Sequence, residues 1–279
     1  MSRVSLVVLV TLAMVAFAGN SLLCRVALRE NAIDAASFTA IRIGSGALVL
    51  WLACRRRRIA IAGNWFSAGA LFVYAAAFSL AYISLPAGTG ALLLFAAVQT
   101  TMIVAGLRGG ERLRAAQWFG VIFALTGLVL LLLPGIAAPA FLSATLMLIA
   151  GVGWGIYSLR GKVAGDPIAA TAGNFIRALP LALVFAAISY RSIVTTPAGI
   201  AFAAMSGAIT SGLGYVVWYA TLPYLRATSA ATVQLSAPVI AALGGVLLLG
   251  ESLTARMMLA SVAVLGGIAL AIRKPAPIR

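Results

Sequence analysis

The sequence predicts an all-α polytopic membrane protein of ten transmembrane helices in two inverted five-helix repeats. Three observations lead there. Of the 279 residues 63% are hydrophobic and 9% charged, and the mean hydropathy is +1.11, so too few polar groups exist to cover a water-facing surface. The apolar residues fall into ten runs, each long enough for a hydrocarbon core of about 30 Å, which takes roughly 17–25 helical residues. Finally, polar landmarks of residues 1–134 recur in the same order in residues 135–279.

The runs lie at about 4–24, 35–54, 65–85, 88–107, 114–133, 139–160, 168–189, 198–222, 228–249 and 255–273. Helices are the spanning choice, because barrel strands would alternate polar and apolar positions and these runs do not. The first run resembles a secretory signal, with Arg3, the apolar stretch Val4 to Val15 and the small residues of Ala16-Phe17-Ala18. It continues, however, through Leu23 to a basic stop at Arg25, and Leu22-Leu23 before Cys24 does not suit a lipoprotein cleavage site. It is read as a retained first helix.

The net charge of +15 does not indicate nucleic acid, since the 20 basic residues sit mostly in short breaks between apolar runs, with no basic face interleaved with aromatics. With a cytoplasmic amino terminus, the cytoplasmic segments hold Arg3, Arg55 to Arg58, Arg108, Arg112, Arg114, Arg160, Lys162, Arg226, Arg273, Lys274 and Arg279. That is 14 basic residues, against Arg25, Arg29, Arg191 and Arg256 outside. The bias places both termini in the cytoplasm. No polar stretch exceeds about a dozen residues, so no partner domain and no obligate protein partner are evident; membrane lipid and a small-molecule substrate are the expected partners. Cys24 and Cys54 fall near opposite ends of the first two helices and are predicted to be free thiols. With no His and no cysteine cluster, neither metal nor cofactor is expected.

A shift of 135 residues lays Arg25 on Arg160 and Arg42 on Arg177, a shift of 137 lays Tyr82, Leu85 and Pro86 on Tyr219, Leu222 and Pro223, and a shift of 140 lays Gly110-Glu111 on Gly250-Glu251. An odd number of helices per copy forces the second copy to enter from the opposite side, which makes the repeats inverted. Such halves supply two related conformations and put a substrate site near the midplane between them.

Ten helices in two such repeats, each with a small-residue-rich fourth helix ending in Gly-Glu, resemble the drug/metabolite transporter superfamily of EamA type. The clearest match runs from Thr228-Ser229-Ala230-Ala231 through Ala237-Pro238 to Leu249-Gly250-Glu251-Ser252-Leu253 and Gly266-Gly267. The amino-terminal copy is more divergent, with Val98 where Pro238 has its counterpart. The resemblance covers nearly the whole chain and implies a transporter, with length and aromatic content similar to the bacterial amino-acid exporter branch, including exporters of aromatic amino acids.

No phosphate-binding loop of the G-x-x-x-x-G-K-[ST] type is present, and Gly88-Thr89-Gly90 and Gly212-Leu213-Gly214 lack the context of a dinucleotide site. All five acidic residues, Glu30, Asp34, Glu111, Asp166 and Glu251, map to loops or helix ends. Without an intramembrane carboxylate or His, substrate is expected to move down its own gradient or by exchange. Arg42 and Arg177 are the charges well inside spans. Each either fixes its helix by binding backbone carbonyls or headgroups, or recognises a substrate carboxylate; the first reading is preferred, because inverted mates lie at opposite depths.

Tyr74, Phe78 and Tyr82 recur every four residues in the third helix, and Tyr215, Trp218 and Tyr219 keep helical spacing in the eighth. The stripes are either core or, since hydroxyls need partners in hydrocarbon, the lining of a wet cavity. Trp154 and Tyr157 lie beside Gly151-x-x-x-Gly155, a motif for close helix approach. Asn20 is the polar counterpart in the first helix. Gln99 and Gln234 interrupt the fourth and ninth helices and either bond a neighbouring helix or face the cavity. The chain therefore reads as a transporter, not an enzyme, exporting small metabolites and above all hydrophobic or aromatic amino acids by alternating access. A drug or lipophilic-cation exporter is one alternative, though it would want a buried carboxylate, and a non-transporting membrane assembly protein is the other.

Overall fold

A computed structural model describes residues 2–110, 112–133, 138–161, 166–225 and 233–272. Of the residues singled out in the sequence, Glu111, Lys162, Arg226, Thr228 to Ala231, Arg273, Lys274 and Arg279 lie outside these segments. The described residues form ten successive helices: α1 (Arg3–Arg29), α2 (Ala35–Arg57), α3 (Trp65–Tyr82), α4 (Ala87–Arg108), α5 (Ala115–Leu132), α6 (Phe141–Gly161), α7 (Pro167–Ile188), α8 (Pro197–Thr221), α9 (Ser236–Leu249) and α10 (Ala255–Ala271). Eight of them, α1 to α8, are long and apolar enough to cross a membrane, while α9 and α10 are shorter apolar helices. Large side chains such as Phe119, Ile122, Leu247 and Val262 are exposed along them, as a lipid-facing surface requires. The protein is an all-helical, multi-pass membrane protein.

Polar residues at the ends of the apolar runs set where the helices start. The first turn of a helix leaves four N–H groups without intrahelical partners, and here side chains accept several of them. Asp34 caps α2 through Ala36 and Ser37, Asn64 caps α3 through Ser67, Asp166 caps α7, Thr196 caps α8 and Thr254 caps α10. Two of the four described acidic residues are thus helix caps. A third, Glu30, directly follows α1, and the fourth, Glu251, follows Gly250, whose φ of +63° ends α9 in the left-handed region. The structure departs from the expected spans at α1, which runs a turn further and carries Arg25 and Arg29 inside the helix.

The helices pair in a pattern that returns to itself when α1 to α5 are exchanged for α6 to α10. α3 packs on α6 and α8 on α1; α4 packs on α6 and α9 on α1; α2 packs on α8 and α7 on α3; α2 meets α7, α4 meets α9 and α5 meets α10. Lipid tails are as apolar as the helices, so association in a membrane rests on close packing rather than on expulsion of water. Small residues allow it. A Cβ at Gly151 would stand 2.6 Å from the Leu94 carbonyl and one at Gly155 2.8 Å from Thr101 Cβ, so both glycines of the motif seat α6 on α4. On α8, a Cβ at Gly207 would collide with the Arg42 carbonyl of α2.

The interhelix loops obey the same exchange. At one end the α1–α2 turn pairs with the α7–α8 loop, Asp34 N donating to Val194 O at 2.8 Å and Val194 N to Asp34 Oδ2 at 3.1 Å. At the other end the α2–α3 loop pairs with the start of α7, Ala62 N donating to Ala169 O at 3.2 Å and Asn64 N to Asn174 Oδ1 at 2.9 Å. α8 breaks the pattern. It is wound as a π-helix over Ser206–Leu213, whereas its counterpart α3 is a regular α-helix throughout. A π segment adds a residue per turn and re-aims side chains.

Candidate functional site

Asn20 and Arg42 organise the centre of the molecule. Asn20, buried on α1, donates from Nδ2 to the Tyr74 hydroxyl at 3.2 Å, and its Oδ1 accepts from Ser206 Oγ at 2.7 Å, with Thr210 Oγ1 3.4 Å away and donating to Ser206 O at 2.7 Å. Arg42, 2% exposed on α2, donates from Nη2 to the same Tyr74 hydroxyl at 2.8 Å and from Nε to Ser211 Oγ at 3.2 Å. Its guanidinium carbon lies 4.9 Å from the Tyr74 ring centre and 5.0 Å from that of Phe78. Nη1 has no hydrogen-bond partner. A guanidinium at the centre of a bilayer costs about 2.5–3.5 kcal/mol on insertion scales. Charge-assisted hydrogen bonds worth roughly 1.5–3 kcal/mol and desolvated cation–π contacts worth about 2 kcal/mol are of the size needed to offset that.

These groups back a small cavity lined by Phe17, Asn20, Ser21, Tyr74, Phe78, Leu94, Phe95, Trp154, Thr210, Ser211 and Tyr215. Its walls come from α1, α3 and α4 on one side and α6 and α8 on the other. The open space inside it is about 20 Å³, enough for a water molecule, so in this conformation the walls stand nearly closed on one another. The rings form one connected set. Trp154 stands 5.0 Å from Tyr74 and 5.0 Å from Tyr215, joining the stripe of α3 to that of α8. Phe17 meets Trp154, Tyr215 and Trp218 edge-on at 6.3, 6.0 and 5.9 Å. Edge-to-face and offset contacts of this kind are each worth about 0.5–1.5 kcal/mol and hold the walls in place.

The structure therefore brings together Asn20, Tyr74, Phe78, Trp154 and Tyr215, with Trp218 packed behind them and Arg42 against Tyr74, Phe78 and Ser211. It places the remaining residues singled out from the sequence elsewhere. Tyr82 is buried one turn beyond Phe78 and donates to Ala87 O at 3.1 Å. Tyr157 and Tyr219 line a second, polar cavity with Asn64, Ser67, Arg160, Thr171 and Asn174. Arg177 donates to Ala62 O at 2.9 Å and Gly173 O at 3.0 Å, tying α7 to the α2–α3 loop. Gln99 lines an apolar space of about 180 Å³ between α4, α5 and α10, its amide nitrogen buried without a partner. Gln234 is half-buried just before α9 and lines none of these three cavities.

Phe17, Ser206, Thr210 and Ser211 escape a reading of the sequence. Phe17 stands three residues before Asn20, on the same helical face, and that spacing was available as a signal. The hydroxyls of α8 reach the cavity through the π segment, which no local pattern announces.

Beyond the aromatic stripe of α3 an ion pair ties four helices together. Arg25 Nε donates to Glu251 Oε1 at 3.0 Å, with the two side chains only 11% and 10% exposed, and Arg25 Nη1 donates to the carbonyls of Tyr82 and Ile83. Glu251 Oε2 accepts the Ala87 N–H at 2.8 Å. The pair joins α1, the end of α3, the start of α4 and the end of α9. Among the described residues no other salt bridge occurs. Arg160, the counterpart of Arg25, instead donates to Ser67 Oγ at 2.9 Å and lies over the Phe66 ring.

Residues 141–273 match the EamA-like transporter family. The chain is 57% identical over 265 residues, 94% of its length and 92% of the relative's, to an uncharacterized protein of Pseudomonas aeruginosa. It is 28% identical over 206 residues, 72% of this chain and 74% of the other, to an uncharacterized transporter of Archaeoglobus fulgidus. A solved crystal structure covering 97% of this chain and 98% of its own superposes with a TM-score of 0.66 at 19% identity, and so shares the fold.

The hydrogen-bond inventory separates two buried amides. Replacing Asn20 by Leu leaves Ser206 without its bond to Oδ1 and deprives Tyr74 of a donor, and should cost about 1–3 kcal/mol. Replacing Gln99 by Leu removes an amide nitrogen that has no partner. Thermal unfolding in detergent should show Asn20→Leu melting several degrees below the wild type and Gln99→Leu at or above it; the reverse order would contradict the inventory.

Proposed function

The chain belongs to the EamA-like transporter family, and from that premise we propose that it exports small hydrophobic or aromatic amino acids by alternating access between two inverted five-helix halves, residues 1–134 and 135–279. The observation that carries this reading is the cavity itself, ring-walled, with a hydrogen-bonding pole, and bounded by helices of both halves. Its rings offer stacking surface to an apolar side chain, and the Asn20–Tyr74 pair offers polar groups to a backbone.

Exchange of the halves in the helix pairing and in the loop ties supports the inverted repeat. It also gives the motion a physical form. In this conformation the end at Arg25 and Glu251 is latched, and its counterpart at Arg160 is held by a hydroxyl and a ring instead of an ion pair. Export requires the latch to open while the opposite end closes. Every described acidic residue sits at a helix end, which supports downhill movement or exchange over coupling through a carboxylate that binds protons. A lipophilic-cation exporter fits less well, because the charge nearest the cavity is a cation. A pure assembly protein leaves the polar pole of the cavity without a use.

The loop bias of basic residues supports cytoplasmic termini in a bacterial inner membrane. A green fluorescent protein fused to the carboxyl terminus should then fluoresce, since it folds in the cytoplasm; a dark but expressed and inserted fusion would reverse the orientation. For transport, purified protein in liposomes loaded with an amino-acid panel should show counterflow of phenylalanine, tryptophan or leucine, unaltered by an imposed pH gradient. Silence on every amino acid with counterflow of another metabolite class would end the amino-acid assignment, and strong accumulation driven by the pH gradient would end the exchange mode.

A further inference from the structure

The polar pole of the cavity is built to donate. The Tyr74 hydroxyl oxygen accepts from both Arg42 Nη2 and Asn20 Nδ2, which occupies its acceptor capacity and leaves its own O–H to seek an acceptor. No described residue accepts it, and Tyr74 lines the cavity. Asn20 Oδ1 accepts the Ser206 hydroxyl, while the Thr210 hydroxyl 3.4 Å away gives its proton to Ser206 O, and the Asn20 amide nitrogen retains a second N–H. Behind these stands the Arg42 guanidinium, touching Tyr74, Phe78 and Ser211 of the cavity wall, with Nη1 unpartnered and the residue 2% exposed. It cannot be deprotonated, and no described acidic residue lies inside a span to balance it; Glu251, at the end of α9, is committed to Arg25.

We propose that this pole is an anion site: the carboxylate of an aromatic or apolar solute accepts the Tyr74 O–H and the free Asn20 N–H, with Arg42 as its counter-charge one ring's thickness behind the wall. This rests on the reading of the cavity as the substrate site and narrows it. The carboxylate, not the ammonium, is what the protein recognises. Among the described residues no acidic side chain lines the cavity to receive an ammonium, and Arg42 opposes one in a medium of low dielectric constant. Aromatic carboxylates that lack an amino group therefore belong to the substrate class along with the amino acids. Arg42 is a positioning and charge-supplying residue, since it reaches the solute through Tyr74.

The test compares four ligands of one shape on the wild-type protein: 3-phenylpropionate, its neutral amide 3-phenylpropionamide, the cation phenethylamine, and L-phenylalanine. Displacement of radiolabelled 3-phenylpropionate should rank the carboxylate at least tenfold tighter than the amide, with the amine weakest. Arg42→Met should erase the gap between carboxylate and amide, whereas Arg42→Lys should keep part of it. Equal binding of carboxylate and amide, or preference for the amine, would overturn the anion site even if Arg42→Met fails to fold, because it is read on the wild type. Counterflow of L-phenylalanine alongside such an outcome would leave the transport assignment standing. Absence of binding by all four would overturn the anion site together with the aromatic amino-acid reading.

Discussion

A guanidinium that keeps its proton, held almost wholly out of water at the middle of the fold, has to be given partners by the protein itself. In hydrocarbon that constraint is severe, because no solvent is at hand to satisfy a donor left over. Arg42 meets most of it with two rings and two hydroxyls, leaving Nη1 without a partner, and each of those partners is placed by a different requirement of the sequence. Tyr74 and Phe78 stand one turn apart on α3, so one cation can lie over both. Ser211 comes from α8, whose Gly207 lets that helix approach the Arg42 backbone closely enough for the bond. Asn20 then fixes the same tyrosine from α1 and collects Ser206. Four helices of the bundle are held by one network, and the cavity is the space its aromatic members leave between them.

The network is also where the two halves cease to resemble each other. Arg42 and Arg177 are equivalent by their spacing in the repeat, yet one reaches the central rings and the other binds the carbonyls of Ala62 and Gly173 at a helix end. Arg25 finds Glu251, while Arg160 finds Ser67. α8 carries a π segment where α3 does not. On the inverted-repeat reading this is expected of a structure caught in one conformation: the halves share a plan but not, at one moment, a shape. Unequal latches at the two ends are what a protein that opens one end at a time needs.

Much of this was legible in the sequence. Ten helices emerge from run length and hydropathy, and α2, α3, α7, α8 and α10 start within a few residues of expectation because Asp34, Asn64, Asp166, Thr196 and Thr254 both interrupt the apolar runs and cap the next helix, whereas α9, expected from 228, is described from Ser236. Tyr74, Phe78, Trp154 and Tyr215 stood out as aromatics at helical spacing and Asn20 as a polar group in apolar surroundings. Membership of the drug/metabolite transporter superfamily was legible from the Gly-Glu pairs and the repeat. What could not be read was rotation. Periodicity shows that Tyr82 and Tyr219 share a stripe with cavity residues but not that the stripe turns away before reaching them. Nor does any pattern announce the π segment that brings Thr210 and Ser211 inward, or that Gln99 faces an apolar space between α4, α5 and α10. Symmetry argued that Arg42 and Arg177 could not both serve one central site; it could not say which would come near it.

The central claim is that solute passes between the halves through the space beside Tyr74. Thr210, buried on α8 and lining that space, reports on it directly. In a protein whose Cys24 and Cys54 are replaced by alanine, the rate at which a small, membrane-impermeant thiol reagent labels Thr210→Cys should be measured in right-side-out and inverted vesicles, with and without saturating L-phenylalanine. The account predicts labelling from at least one side and strong protection by the amino acid. A cysteine that stays unlabelled from both sides, or that is labelled equally fast in the presence of L-phenylalanine, would contradict it.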